Sequence, residues 1–419
     1  MNFLLKNDYI FNLLNKIYVI LMGLIASIFI TRYLGVVDRG NYAYIIQVVS
    51  IASIVLNVGI HQSYSFYYRK YQGEVFNKYV QIILVQFFIY TSVSVVLTFF
   101  INDQLIKFMI ILVPVSVLAQ QLESIMAVEN IRLKIKLHIL NGTLRTIGFG
   151  FLFFAISGGL LYPIIITFVL NILTIVSFIF FSRKKLSFKK DRINWVFTWE
   201  IIKFGWLPMI TALLITINYS ADVIFLKNIG TAYDLGIYST AAGLITYFWL
   251  IPDSFKEVLV SRTARSDAVN STVFVIKISL VIILSVICAF SLLGKYAIQI
   301  MYGYKFLEAY QITLILSIGA VSMIFYKMIG TVLLAEGKRW VYFFTLLISA
   351  VTNCIGNIIF IPSYGMYGSA VSSVISYSVC GLGFLLYFAR LKKIPLSAFI
   401  FVTKEEKRII KNIVMKGSK

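Results

Sequence analysis

Histidine is nearly absent from this chain, with two in 419 residues, and cysteine and proline are scarce, at three and six. Two histidines far apart in sequence, His61 and His138, make a His-built metal site untenable. No GxxxxGK followed by Ser or Thr occurs, which excludes a built-in ATPase of that pattern. Cys288, Cys354 and Cys380 all fall in apolar runs, so they read as packing residues and form no disulfide framework. Charged residues make up only 13% of the chain against 60% hydrophobic, and mean hydropathy is +0.89. A water-soluble domain of this size cannot hide so much apolar surface. The runs are continuously apolar rather than alternating, which excludes a strand barrel.

What is there instead is a series of apolar runs of about twenty residues, the length that crosses a bilayer's hydrocarbon core. They predict an all-α polytopic membrane protein with twelve spans, near 9–31, 41–66, 79–101, 106–128, 138–157, 160–182, 201–227, 237–260, 271–293, 308–334, 340–361 and 366–389. Lys6 before the first run resembles a signal peptide, but no small-residue cleavage site follows Leu21, so a retained first helix is expected. The longest polar stretch runs from Ser182 to Glu200 and holds Arg183, Lys184, Lys185, Lys189, Lys190 and Arg192. It divides the chain into a six-helix lobe at 1–182, a basic linker at 183–200, a second six-helix lobe at 201–390 and a basic tail at 391–419. Trp195, Trp199 and Trp206 mark the interface where the seventh span begins.

Lys and Arg number 38 against 17 Asp and Glu. In a soluble protein that excess would point to nucleic acid; here the bases sit in short loops, where they set topology and meet anionic membrane lipid. Placing the N-terminus, every second loop and the tail on one side collects most of the Lys and Arg there, so both termini are expected in the cytoplasm. The two halves also repeat. Asp38-Arg39-Gly40-Asn41-Tyr42 is matched by Asp234-Leu235-Gly236-Ile237-Tyr238, both read as turns on the outer side. Ser157-Gly158-Gly159 and Pro362-Ser363-Tyr364-Gly365 are matching uncharged junctions. Glu129 with Arg132 and Glu336 with Lys338 and Arg339 are matching charged ones. Six spans per half is even, so the lobes are expected to lie parallel around a central cavity, the architecture of a transporter that alternates its access.

A charge at the centre of a membrane helix costs about 2.5–3.5 kcal/mol. Lys16, Glu123, Arg145, Asp222 and Lys327 are the interior candidates. Lys16 shares a stripe with Asn12 and Gly23 and either lines a cavity or snorkels to the cytoplasmic surface. Arg145, one turn after Asn141, and Lys327 lie too deep to snorkel easily, which favours a cavity. Glu123, beside Gln120 and Gln121, is a partner for Arg145 or Lys16. Asp222 has Asn218 one turn back on the same face. Its counterpart in the first half is Ala26 or Ser27, so the acid is unique to the second half. Carrying a proton, binding a cation and pairing with Lys327 all stay open for it. Gly142, Gly148 and Gly150 read as sites of close helix packing.

Ile30-Thr31-Arg32-Tyr33-Leu34-Gly35 followed by Gly40-Asn41-Tyr42 resembles the opening motif of the bacterial polysaccharide and O-antigen flippases. Lys203-Phe204-Gly205-Trp206-Leu207-Pro208 is similar to that family's seventh helix. Asp222, Gly236, Tyr238 and Ala241 resemble its Asp…Gly-x-Tyr-x-x-Ala pattern. Glu336-Gly337, Asn353, Asn357, Ile361-Pro362 and Gly365-Met366-Tyr367-Gly368-Ser369-Ala370 resemble its eleventh and twelfth helices. Arg39, often aromatic in the family, and Leu259-Val260-Ser261, which lacks a common proline, depart from the pattern. The resemblance implies the multidrug/oligosaccharidyl-lipid/polysaccharide exporter fold in the bacterial inner membrane. It implies transport of a polyprenyl-diphosphate-linked oligosaccharide, an O-antigen or capsule unit, from the cytoplasmic to the outer leaflet.

On that reading Lys16, Arg145 and Lys327 bind the diphosphate, arginine being suited to bidentate phosphate contact. Asp222, Asn218 and Glu123 are the coupling or gating candidates, with proton and sodium both open as the coupling ion and no cofactor expected. Lipid-linked oligosaccharide, membrane lipid and glycan assembly proteins are the expected partners, and nucleic acid is not. The alternatives are a cation-coupled multidrug exporter of the same fold, which should carry acids in its cavity, and a membrane glycan polymerase or ligase, which needs a large outer loop. The charge distribution makes one prediction that is independent of family. Reporter fusions after Lys419 and within 183–200 should be active on the cytoplasmic side only, and a periplasmic signal from either overturns the topology.

Overall fold

The structure is a computed structural model describing residues 2–156, 158–186, 194–250, 252–253 and 269–399, with side chains from Ile17 onward. Most of the basic linker and the tail beyond residue 399 lie outside the described residues. In hydrocarbon each backbone N–H and C=O must be satisfied within the chain, and the apolar runs accordingly form helices. These are α1 (Asn2–Leu56), α2 (Ile60–Lys70), α3 (Phe76–Phe100), α4 (Gln104–Glu129), α5 (Ile131–Ala155), α6 (Leu161–Ser182), α7 (Trp195–Ile229), α8 (Ala232–Phe248), α9 (Val269–Tyr302), α10 (Ala309–Ala335) and α11 (Arg339–Lys392). Among the described residues nine helices are long and apolar enough to cross a membrane. Two of them, α1 and α11, are each a pair of spans joined at a kink, at Gly35 (φ 68°) and Gly365 (φ 53°). With the 17-residue α8, the apolar segments among the described residues come to twelve.

The chain folds as two compact units, Met1–Lys227 and Asn228–Lys419. Most of α7 therefore belongs with the first unit. Ser220 Oγ donates to Gln47 Oε1 at 2.7 Å and Lys227 Nζ to Asn41 Oδ1 at 2.8 Å, tying its last turns to the second half of α1.

In the first unit α4 is the buried centre, with Leu118, Leu122, Ile125 and Met126 packed against α2, α3 and α5. α3 turns Phe88, Val93, Phe99 and Phe100 outward, as a lipid-facing helix does. In the second unit α10 is the centre, buried along nearly its whole length against α8, α9 and α11. These two helices are the fourth and tenth spans, equivalent positions in the repeat. Each ends at an acid that is clamped by a lysine just beyond the sixth span of its half. Lys185 Nζ lies 2.7 Å from Glu129 Oε2, and Lys392 Nζ 2.8 Å from Glu336 Oε1. Glu129 also accepts from Tyr64 at 2.6 Å, and its bond to Lys185 raises that lysine's pKa.

The two Asp-x-Gly-x-Tyr segments are not turns. Both are helical, and they follow a break. Thr231 caps α8: its Oγ1 accepts from the Asp234 N–H at 3.0 Å while Asp234 accepts in return from the Thr231 N–H. Gly35 stands at the same distance before Asp38. The motif is thus the first helical turn after a break, and its acid suits the positive end of a helix.

The second span also departs from expectation. It is interrupted at Asn57–Gly59, where Val58 and Gly59 take φ of 49° and 74°. The break is stabilised from two sides. The Leu56 carbonyl it releases accepts from Gln86 Nε2 (2.6 Å) and Tyr90 OH (2.9 Å), both on α3. Gly59 meets Gly205 of α7 backbone to backbone, leaving no room for a β-carbon on either.

The two halves of α11 are held together along their middle by hydroxyl and amide groups, with Tyr342 packed edge-on against Phe384 nearer their ends (ring centres 5.4 Å apart). Ser349 Oγ donates to the Ser376 carbonyl (3.0 Å), Ser372 Oγ to the Asn353 carbonyl (2.9 Å) and Ser369 Oγ to Asn357 Oδ1 (2.8 Å). Small residues let the backbones approach, and the hydrogen bonds satisfy what the close approach buries.

The Gly59–Gly205 contact sets a test. Gly205→Val should destabilise the purified protein by about 1–3 kcal/mol, the usual range for overpacking, seen as a lower unfolding midpoint in detergent. An unchanged midpoint would mean that the two backbones do not touch.

Candidate functional site

The charges that sit inside apolar helices fall into distinct environments. On α5, Lys134, His138, Asn141 and Arg145 are spaced i, i+4, i+7 and i+11, which puts them on one face. His138 and Arg145 are exposed. Arg145 makes no ion pair or hydrogen bond with any described residue, and Glu123, half-buried on α4, is not its partner. A β-carbon on the neighbouring Gly142 would meet nothing within 4 Å, so this face is open. Gly148 and Gly150 do lie against Ile166 and Phe29, but Gly142 is not a packing glycine. Asn141 donates to Thr174 on α6 at 2.9 Å, and its carbonyl oxygen is buried without a partner among the described residues.

α1 packs along a different face of α5, the one that carries Thr143 and Thr146. Tyr18 OH and Thr143 Oγ1 are 2.7 Å apart, and Thr146 Oγ1 donates to the Met22 carbonyl at 2.9 Å. These contacts flank Arg145 on α5 and begin two residues after Lys16 on α1. The Lys16 side chain itself lies outside the described residues. The fold thus brings the Lys16 and Arg145 segments together in the first unit.

Asp222 and Asn218 are each 1% exposed, on one face of α7. Gln120 and Gln121, beside Glu123, belong to a separate polar network. Asn57 Nδ2 donates to Gln120 Oε1 (3.3 Å) and Gln121 Nε2 to Gln86 Oε1 (2.7 Å), at the break between α1 and α2.

Lys327, 9% exposed on α10, has a carboxylate partner in its own unit. Its Nζ donates to both oxygens of Asp253 at 2.7 Å and stands 5.2 Å from the centre of the Trp249 ring. Asp253 is absent from the sequence-derived candidates although it falls inside the predicted span 237–260. The signal that finds it is its spacing, one helical turn after Trp249. Lys277 of α9, 4% exposed, is a second buried lysine that span-centre reasoning passes over. A more apolar space lies between α3, α4 and α6. This cavity of about 480 Å3 is lined by Phe87, Val95, Pro114 and Phe168, with Lys107 the charged group in its wall.

Over 183 residues, 42% of this chain, the sequence is 25% identical to the capsular polysaccharide biosynthesis protein CapF of Staphylococcus aureus. The match spans 46% of that relative, less than half its length. In fold the chain is similar to the lipid II flippase MurJ in an inward closed conformation, with a TM-score of 0.76 at 16% identity over 93% of this chain and 89% of that one. It is also similar to the Vibrio cholerae MATE transporter VcmN, with a TM-score of 0.58 at 13% identity over 91% and 95%. At such identities these likenesses establish the fold alone: an all-α polytopic membrane protein. Residues 5–249, more than half of the chain, match the family described as polysaccharide biosynthesis protein, and the chain belongs to that family.

Proposed function

We propose that this protein is a flippase that carries a polyprenyl-diphosphate-linked oligosaccharide, an O-antigen or capsule unit, from the cytoplasmic to the outer leaflet by alternating access. The single observation that supports this best is Arg145, an exposed guanidinium in the middle of an apolar helix with no carboxylate on it among the described residues. Such a charge is unfavourable in lipid and is retained where it meets an anion or water. A diphosphate is the part of a lipid-linked glycan that most needs a counter-charge while it crosses, because an unpaired anion in an apolar medium is prohibitive. Arginine supplies paired N–H donors in the geometry of phosphate oxygens. Lys16 and Lys327 complete the cation set, and membership of a polysaccharide biosynthesis family supports a glycan cargo.

Asp222, with Asn218 beside it, is the coupling candidate in this reading: a buried acid that takes up a proton or sodium ion as the transporter changes state. Glu123 has a lesser gating role. The two halves divide at the basic 183–200 segment into six-span lobes, the protein resides in the bacterial inner membrane, and both termini face the cytoplasm. A cation-coupled multidrug exporter is the second reading, supported by the likeness of the fold to multidrug resistance MATE transporters. The open cationic face of α5 argues against a cationic drug as cargo. A glycan polymerase or ligase has no comparable support.

Arg145→Ala should lower surface glycan roughly tenfold or more, the loss of one charge-assisted contact being about 1.5–3 kcal/mol, with the amount of membrane protein unchanged. Asp222→Ala should abolish export in the same assay, and Asp222→Asn separates the loss of charge from the loss of packing. Surface polysaccharide at normal levels in both Arg145→Ala and Asp222→Ala overturns the assignment of the site.

A further inference from the structure

We propose that Asp253 is a placeholder for the substrate's diphosphate: it occupies Lys327 between transport events and yields it to the incoming headgroup. This rests on the flippase reading above.

The argument starts from an asymmetry of burial. The Lys327 side chain is 9% exposed and that of Asp253 is 44% exposed. A buried ammonium cannot be left without a counter-charge, since removing one partner of such a pair is strongly destabilising. A half-exposed carboxylate can be left, because water takes over its hydrogen bonds. The partner that solvent can accept is therefore the one free to leave. A bond that joined two helices for stability alone would not need this bias.

The surroundings fit an exchange. Asp253 and Trp249 are one helical turn apart, and the Asp253 N–H donates to the Trp249 carbonyl at 3.0 Å. The indole stands over the ammonium at 5.2 Å and is itself braced edge-on by Tyr377, with ring centres 5.7 Å apart. One turn further along α10, Thr331 donates to the Lys327 carbonyl at 2.8 Å and holds the backbone. The aromatic wall is buried, and of Trp249 and Asp253 the carboxylate is the more exposed. Both carboxylate oxygens lie at 2.7 Å from Nζ, a two-oxygen contact that a phosphate group can reproduce with a larger negative charge. Exchange keeps Lys327 neutralised at each stage and makes anion binding compete with an internal anion, which sets a threshold against weak, singly charged lipids.

The test uses the full chain in nanodiscs and geranylgeranyl diphosphate as the probe. An internal competitor lowers apparent affinity by the fraction of time it leaves the site open, so Asp253→Asn should bind about tenfold more tightly than the wild type. Lys327→Gln should bind at least tenfold more weakly, and the double variant should behave like Lys327→Gln alone. Unchanged or weaker binding by a folded Asp253→Asn protein overturns the placeholder while leaving the flippase reading standing. Failure of the wild type to bind the probe at all overturns the flippase reading as well. Should Asp253→Asn not fold, the wild type still decides. A carbodiimide should join Asp253 to Lys327 as an amide, found by mass spectrometry, and saturating probe should suppress the product. A yield that the probe leaves unchanged overturns the proposal.

Discussion

In the hydrocarbon of a bilayer no water is present to complete a hydrogen bond or to surround a charge, and the structure depends on that constraint throughout. It selects helices for nearly the whole described chain. It also dictates how the helices can break. Where the second span is interrupted after Leu56, two side chains of α3 take over from the missing backbone bond. Where α11 folds back on itself, serines and asparagines pair across the contact. The Asp-x-Gly-x-Tyr segment of α8 is the same solution at a helix start, a threonine and an aspartate serving the N–H groups that have no carbonyl to meet. In each case the polar residue is there because the backbone needs it.

The internal repeat is expressed most clearly in these polar contacts. α4 and α10 are the buried axes of their units, and both end at a glutamate bonded to a lysine that follows the last span of that half. As partly exposed ion pairs each contributes little stability, on the order of 1 kcal/mol or less. Their value is geometric, because they fix where the end of the central helix meets the end of the sixth. The halves differ where the proposed function places its work. Asp222 and the open basic face on α5 both lie in the first unit, and the counterpart of Asp222 in the sequence repeat, Ala26 or Ser27, carries no acid.

The interior charges divide by the same rule. Lys327 has an internal partner and Arg145 has none among the described residues, although both are single charges in apolar helices. A partnered cation is stable whether or not cargo is present. An open one relies on an anion or on water. In the proposed flippase the first would serve to discriminate among anions and the second to receive one.

Composition and the length of the apolar runs were sufficient to determine a many-span helical membrane protein, because continuously apolar segments in lipid can satisfy their own backbone groups only as helices. The charged and uncharged junctions were legible for the same reason, each being a short polar interruption of a long run, and motif order was enough for the family. Residue-level geometry was not legible. Glu123 matches Arg145 by charge and by span, yet pairing is set by helix rotation, and the two do not meet. Gly142 looks like Gly148 and Gly150 in sequence, but it faces open space while they face Ile166 and Phe29. Asp253 falls inside the predicted span 237–260 yet is not among the sequence-derived candidates, and only the approach of α10 to the segment after α8 makes it the partner of Lys327. Hydrophobic pattern is a property of one helix; which side chain meets which is a property of two, and that was decided by tertiary structure alone.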